Sequence, residues 1–264
     1  MFGIIKWGLW QRKWFFVWWA IAIASFISLN LAFYPTFKKQ QAQLEQSLSQ
    51  IPESAKALFS DTGEFASPTG FLSSQVLYFM LPMLLGIFAI SLGSSLIARE
   101  EKEGTIELLL SRPISRGKLL LGKAVVGIVL LGGAGLVAVA TTVVLAKLVD
   151  LPISSTNISL SVGVCTLLAL SFGAIAYMLT AIGKMRGASI GIATLIALGG
   201  YIIASLISMA SWLKWPSKLM PFYYYHPSEI LEGKYNWNNL LFILGVIVLS
   251  SMVSYIAFRR RDIA

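Results

Sequence analysis

A chain of 264 residues that is 56% apolar and only 12% charged, with a mean hydropathy of +0.75, falls outside the range of soluble globular domains and inside that of polytopic membrane proteins. The formal net charge of +9 would admit nucleic acid as a partner class, but the cations cluster between long uncharged runs, which excludes that class and indicates a membrane surface. The single cysteine, Cys165, rules out an internal disulfide and lies in an apolar run, where a small buried side chain is expected.

In chain order, residues 1–13 place Trp7 and Trp10, with Trp14 just beyond, at helical spacing beside Lys6, Arg12 and Lys13. That pattern predicts a short interfacial helix or, equally, an aromatic and basic anchor for the first span. Crossing the hydrocarbon core takes roughly 20 apolar residues as a helix. Six segments meet that need: 14–37, 71–98, 119–147, 158–182, 188–212 and 239–258. The first is too long, and too rich in Trp and Phe, for a cleaved signal, and no small-residue cleavage site follows it. Residues 38–70 are polar and extracellular in this reading, with Leu44, Leu48 and Ile51 predicting a surface helix that stops at Pro52. Pro82 should loosen the hydrogen-bond ladder of the second span, as a hinge or as a packing feature.

Glycines mark the third span (Gly127, Gly132, Gly133, Gly135) and the fifth (Gly187, Gly191, Gly199). Small residues let spans approach closely, either within the chain or at a dimer seam. Residues 213–238, with Trp212 just before them, hold Trp215, Trp237, three consecutive Tyr and the only histidine, His226. Such a cluster suits the outer headgroup level. With no second His or Cys beside it, His226 lacks the spacing of a metal site.

With the N-terminus placed in the cytoplasm, fourteen of the 21 Lys and Arg fall on the inner side, every Arg among them, and only seven Lys fall outside. The whole positive excess then faces the cytoplasm, which predicts N-in and C-in. The six cores carry no ionisable side chain except at their edges. Ion-coupled carriers and intramembrane proteases need such groups at depth. A phosphate-binding G-x-x-x-x-G-K-[ST] loop is also missing from the sequence. Energy for any work must therefore come from another polypeptide.

That partner needs a handle, and residues 99–118 provide one. The run REEKEGTIELLLSRPISRGKLLLGK, ending at Lys123, packs ten charges between two uncharged segments. Gly104 breaks what precedes it, Thr105 can cap a short helix with Glu107 in its first turn, and Pro113 ends it. Ser115 can cap the next helix, and Arg116, Lys118 and Lys123 would anchor the third span at the headgroups. From spacing alone the stretch reads as a docking elbow or as a solvated loop.

At these residues the chain resembles the permease subunits of type-2 ABC transporters of the exporter class. The match is strongest from Ile87 to Lys123, through Glu103, Gly104, Thr105, the Leu109–Leu110–Ser111 run, Pro113, Ser115, Arg116 and Leu121–Gly122–Lys123. IPESAKALF followed by SPTGFL, and MPFYYYHPSEIL, are similar to one branch of that family, although His226 and Pro227 stand where an acidic residue is expected. The resemblance implies an all-α polytopic membrane protein with six transmembrane helices, an N-terminal interfacial helix and a cytoplasmic coupling helix. It also implies a second permease subunit, the same or related, and a cytoplasmic ATP-binding subunit that holds ATP and magnesium, with no cofactor in this chain. Glu103, Gly104, Thr105, Glu107, Leu109, Arg112 and Arg116 would form the coupling contact.

The expected role is then a permease in the plasma membrane of a bacterium or archaeon, moving a hydrophobic or amphipathic compound outward. A membrane anchor or mechanical signalling subunit that does not itself transport is the alternative. An intramembrane enzyme acting on lipid lacks any buried catalytic pair.

Overall fold

A computed structural model describes residues 2–40, 56, 58, 60, 65, 67–102, 115–207 and 210–260. Among the described residues the structure is helical, without strands. In hydrocarbon only a helix satisfies every backbone polar group within one segment, which is why the long apolar runs take this form.

The chain opens with α1 (Phe2–Gln11), α2 (Lys13–Ala32) and α3 (Tyr34–Lys39). Helix α4 (Pro68–Leu72) runs through a π-turn (Ser73–Leu77) into α5 (Met80–Lys102). The remaining spans are α6 (Arg116–Leu148), α7 (Ser155–Ala181) and α8 (Arg186–Ser205), and the last follows two short helices, α9 (Lys214–Ser217) and α10 (Pro227–Glu232), as α11 (Asn239–Arg260). Six of these units are long and apolar enough to span a membrane: Lys13–Lys39, Pro68–Ala98, Arg116–Leu148, Ser155–Ala181, Arg186–Ser205 and Asn239–Arg260.

Boundaries follow local capping chemistry. The Ser67 hydroxyl accepts from the amide of Gly70 at 3.0 Å and starts the second span three residues earlier than the expected 71. Ser115, the expected cap, accepts from the amide of Lys118 at 3.4 Å and opens α6 at Arg116 rather than 119. Ser154 likewise caps α7. The fifth span ends at Ser205, short of the expected 212. The apolar run continues beyond Ser205, so hydropathy alone overshoots; the helix stops where the Ser205 hydroxyl meets that of Tyr78 at 2.9 Å.

Pro82 loosens the second span as its missing N–H requires. Tyr78 and Phe79 form a turn, and upstream the Tyr78 amide bonds to the Ser73 carbonyl at 2.7 Å, one residue beyond α-helical reach. The surface helix expected around Leu44, Leu48 and Ile51 lies outside the described residues.

Helix α7 is the hub, packing against α5, α6, α8 and α11. Its approach to α5 is the closest in the bundle. A Cβ on Gly93 would stand 2.3 Å from the carbonyl oxygen of Gly173, and one on Gly173 would stand 3.0 Å from that of Ala89. Direct backbone contact of this kind gives spans their packing energy where lipid removes the hydrophobic drive. Of the third-span glycines, Gly127 meets Leu96, Gly133 meets Phe16 and Gly135 meets Thr166, while Gly132 faces open space. Gly187, Gly191 and Gly199 of the fifth span have no heavy atom within 4 Å of a built Cβ. Their stripe therefore does not pack within the chain.

Candidate functional site

Three places carry functional content: the basic end of the bundle, the opposite aromatic end, and the cavities between them. At the basic end α1 lies against α6. Gly8 is buried because a Cβ there would meet Val126 at 2.8 Å, and Gly122 leaves room for Ile4 at 3.1 Å. On the outer side of α1, Trp7 and Trp10 are exposed and stack with ring centroids 5.8 Å apart, and the Lys13 ammonium sits 4.9 Å from the Trp10 ring. This is the aromatic and basic surface expected of an interfacial helix.

Arg12 departs from expectation. Instead of facing headgroups it is only 6% exposed, and its guanidinium donates to the carbonyl of Ser95 in α5 at 3.2 Å. It sits where α1 breaks from α2, so one buried cation ties that corner to the part of α5 that leads into residue 103. Lys123 is likewise not a headgroup anchor. It is 3% exposed, beside the face of α6 on which Gly122 and Val126 receive α1. A sequence count of cations cannot foresee this, because burial is set by tertiary packing and not by the local pattern.

Of the expected coupling set, Arg116 opens α6 at this end and is partly buried. Glu103, Gly104, Thr105, Glu107, Leu109 and Arg112 lie outside the described residues. Of the two helices that flank them, α6 packs against α1, and α5 is tied to the α1–α2 break through Arg12 and Ser95. Also at this end, Tyr255 of α11 packs on Gly117, where a Cβ would come within 2.8 Å of its ring.

The other end is closed by aromatics, a correction to the expectation of a headgroup belt. Trp212 and Trp215 are indeed exposed, but Phe222, Tyr225 and Tyr235 are buried. The Tyr225 hydroxyl donates to the Leu77 carbonyl, the last of the π-turn, at 3.0 Å. Tyr235 donates to the Tyr224 carbonyl at 2.8 Å, and Tyr201 donates to the carbonyl of Leu58. Asn157 of α7 holds α10 through the Leu231 carbonyl at 2.9 Å. Pro-punctuated backbone is tolerated at such depth because side chains pair its polar groups. Burial, with a smaller contribution from Glu229, pushes the Tyr235 phenol up to about 12, so it remains a donor. His226 lies at the rim, its ring edge-on to Tyr223 at 6.3 Å. Among the described residues no cluster of His, Cys, Asp and Glu can hold a metal.

Beneath the aromatic closure lies an apolar cavity of about 100 Å³ between α5 and α8, bounded by Phe79, Met83, Phe172, Ala197, Tyr201 and Phe222. A second, of about 60 Å³, lies nearer the basic end between α5, α6, α7 and α11. Neither is lined by an ionisable carboxylate, amine or imidazole. The arrangement suits passage or storage of apolar groups rather than acid–base chemistry.

The family whose model matches residues 12–263 is described as ABC-2 family transporter protein. No curated protein matches the chain.

Proposed function

Because the chain belongs to the ABC-2 transporter family, we propose that this permease is the membrane half of an ATP-driven exporter whose ATP-binding subunit is a separate polypeptide. The observation that carries the reading is the basic end. Here α1 packs on α6 and Arg12 bonds to Ser95 of α5, and residues 103–114 are the connection in sequence between α5 and α6. A push on that connection would reach α5 directly and α1 through Arg12.

In this reading Glu103, Gly104, Thr105, Glu107, Leu109, Arg112 and Arg116 contact the ATPase, apolar side chains filling a groove and charges fixing register. ATP and magnesium belong to that partner. ATP-driven closure then biases the bundle between two states, a rigid-body change driven by differential affinity. The cargo is hydrophobic or amphipathic, consistent with the apolar cavity between α5 and α8. The open glycine stripe of α8 supports a seam with a second permease subunit, which would bring two such cavities together. The cation-rich end is cytoplasmic and export runs away from it.

The test is to purify the tagged chain in mild detergent with a Gly104→Val variant alongside. A soluble ATPase recovered near equal stoichiometry with the wild type and lost with the variant is the expected outcome, since a turn at Gly104 needs a permissive backbone. Undiminished recovery with the variant overturns the coupling assignment. ATP-dependent movement of an amphipathic dye in sealed vesicles separates transport from anchoring. A complex that hydrolyses ATP without moving any compound would establish the mechanical alternative.

A further inference from the structure

The 60 Å³ cavity is not isolated in the core. Its outer wall is made by Ala124, Gly127 and Ile128 of α6 facing Ile247 and Ser251 of α11, and Ile128 and Ser251 are exposed on its rim. From there a single face of α11 continues at four-residue steps through Ile247, Ser251, Tyr255 and Arg259 toward the basic end. On α6 the matching face runs from Ile128 back through Leu121 to Gly117, where Tyr255 packs. The two helices thus flank a groove, apolar inside and cationic at its mouth.

The mouth holds Arg259 and Arg260, both exposed, and Lys118, exposed on the opposite wall. The Arg259 guanidinium lies 5.5 Å from the Tyr255 ring, and an open recess of about 330 Å³ adjoins Tyr255, Ile256, Arg259 and Arg260. Depth matches as well as charge. Twelve residues separate Ile247 from Arg259, about 18 Å of helix, close to the roughly 15 Å of one leaflet's hydrocarbon. A molecule with its anion at the mouth would carry its tail to the cavity near mid-bilayer.

We propose that the groove between α6 and α11 seats one anionic phospholipid, with its phosphate on Arg259 and Arg260 and one acyl chain running past Ser251 into the cavity. Guanidinium groups suit phosphate through paired hydrogen bonds, and basic recesses between spans select anionic headgroups. The cavity has no need of water, since its lining is apolar apart from a few hydroxyls. The proposal holds whichever direction the permease transports, and the site is separate from the α5–α8 cavity.

Native mass spectrometry of the full-length chain, with phosphatidylglycerol or phosphatidylcholine added at equal concentration, tests it. One phosphatidylglycerol per chain should survive activation that strips phosphatidylcholine. Retention should fall by about tenfold or more when Arg259→Gln and Arg260→Gln are combined, as two cations near an anionic lipid supply. Ser251→Trp, which fills the acyl path and leaves the cations in place, should lower it similarly. Should that variant fail to fold, Ile128→Trp blocks the same path from an already exposed position. Equal retention of the two lipids, or retention unchanged by the arginine pair, overturns the headgroup assignment. Loss in the arginine pair with full retention in the Trp variants overturns the groove.

Discussion

Gly93 shows how much of this bundle depends on the absence of a side chain. A methyl there would stand 2.3 Å from a backbone oxygen of α7, and a backbone cannot swing aside as a long side chain can. Gly93→Ala should therefore destabilise the protein by about 3 kcal/mol, the upper end for overpacking, read as a lower melting point of the detergent-solubilised chain. Gly163→Ala on the same hub helix is the control, because nothing lies within 4 Å of a Cβ there and alanine favours the helix by about 0.8–1 kcal/mol. An unchanged melting point for Gly93→Ala would mean that α5 and α7 do not touch as described. Arg12 makes the complementary point. Its burial against Ser95 converts a residue that counts toward surface charge in the sequence into a buried tie between helices, and no local pattern distinguishes the two.

At the level of elements, hydropathy located all six spans, and capping serines at 67, 115 and 154 refined where three of them start. Pro82 was readable too, since its missing donor has the same consequence in any helix. Two things were not readable. Aromatic residues 222–235 carry the composition of a headgroup belt, yet several turn inward because buried carbonyls, such as that of Leu77, need donors that only tertiary packing brings near. The backbone contact of α5 with α7 at Ala89 and Gly93 was not read from the spacing of small residues, which drew attention to the more regular stripe at Gly187, Gly191 and Gly199, and that stripe remains unpacked in the chain. An exposed Leu195 at 73% accessibility continues that stripe. Gly191→Leu should thus leave the melting point of the chain within about 0.5 kcal/mol of wild type while converting a dimeric permease to monomer by light scattering. A Gly191→Leu dimer of unaltered stability would remove α8 from the seam.

For the whole molecule, the decisive asymmetry is electrical. Lys6, Arg12, Lys13, Arg116, Lys118, Lys123, Lys184, Arg186, Arg259 and Arg260 all belong to the end where α1 packs, whereas the aromatic end carries lysines without a described arginine and offsets them with Asp150, Glu229 and Glu232, the last paired with Lys234 at 2.8 Å. Insertion retains cation-rich connections on the cytoplasmic side, so a single orientation should dominate. The native Cys165 need not be removed to test this, because it is buried on α7 and hidden from a polar reagent. Lys218→Cys, at the aromatic end, should react with an impermeant maleimide in intact cells. Lys184→Cys, in the exposed connection between α7 and α8, should react only after the membrane is opened. The reverse pattern would place the segment joining α5 and α6 outside the cell, beyond the reach of any cytoplasmic ATPase. It would overturn orientation, coupling and direction of transport together, since all three rest on which side the basic end faces.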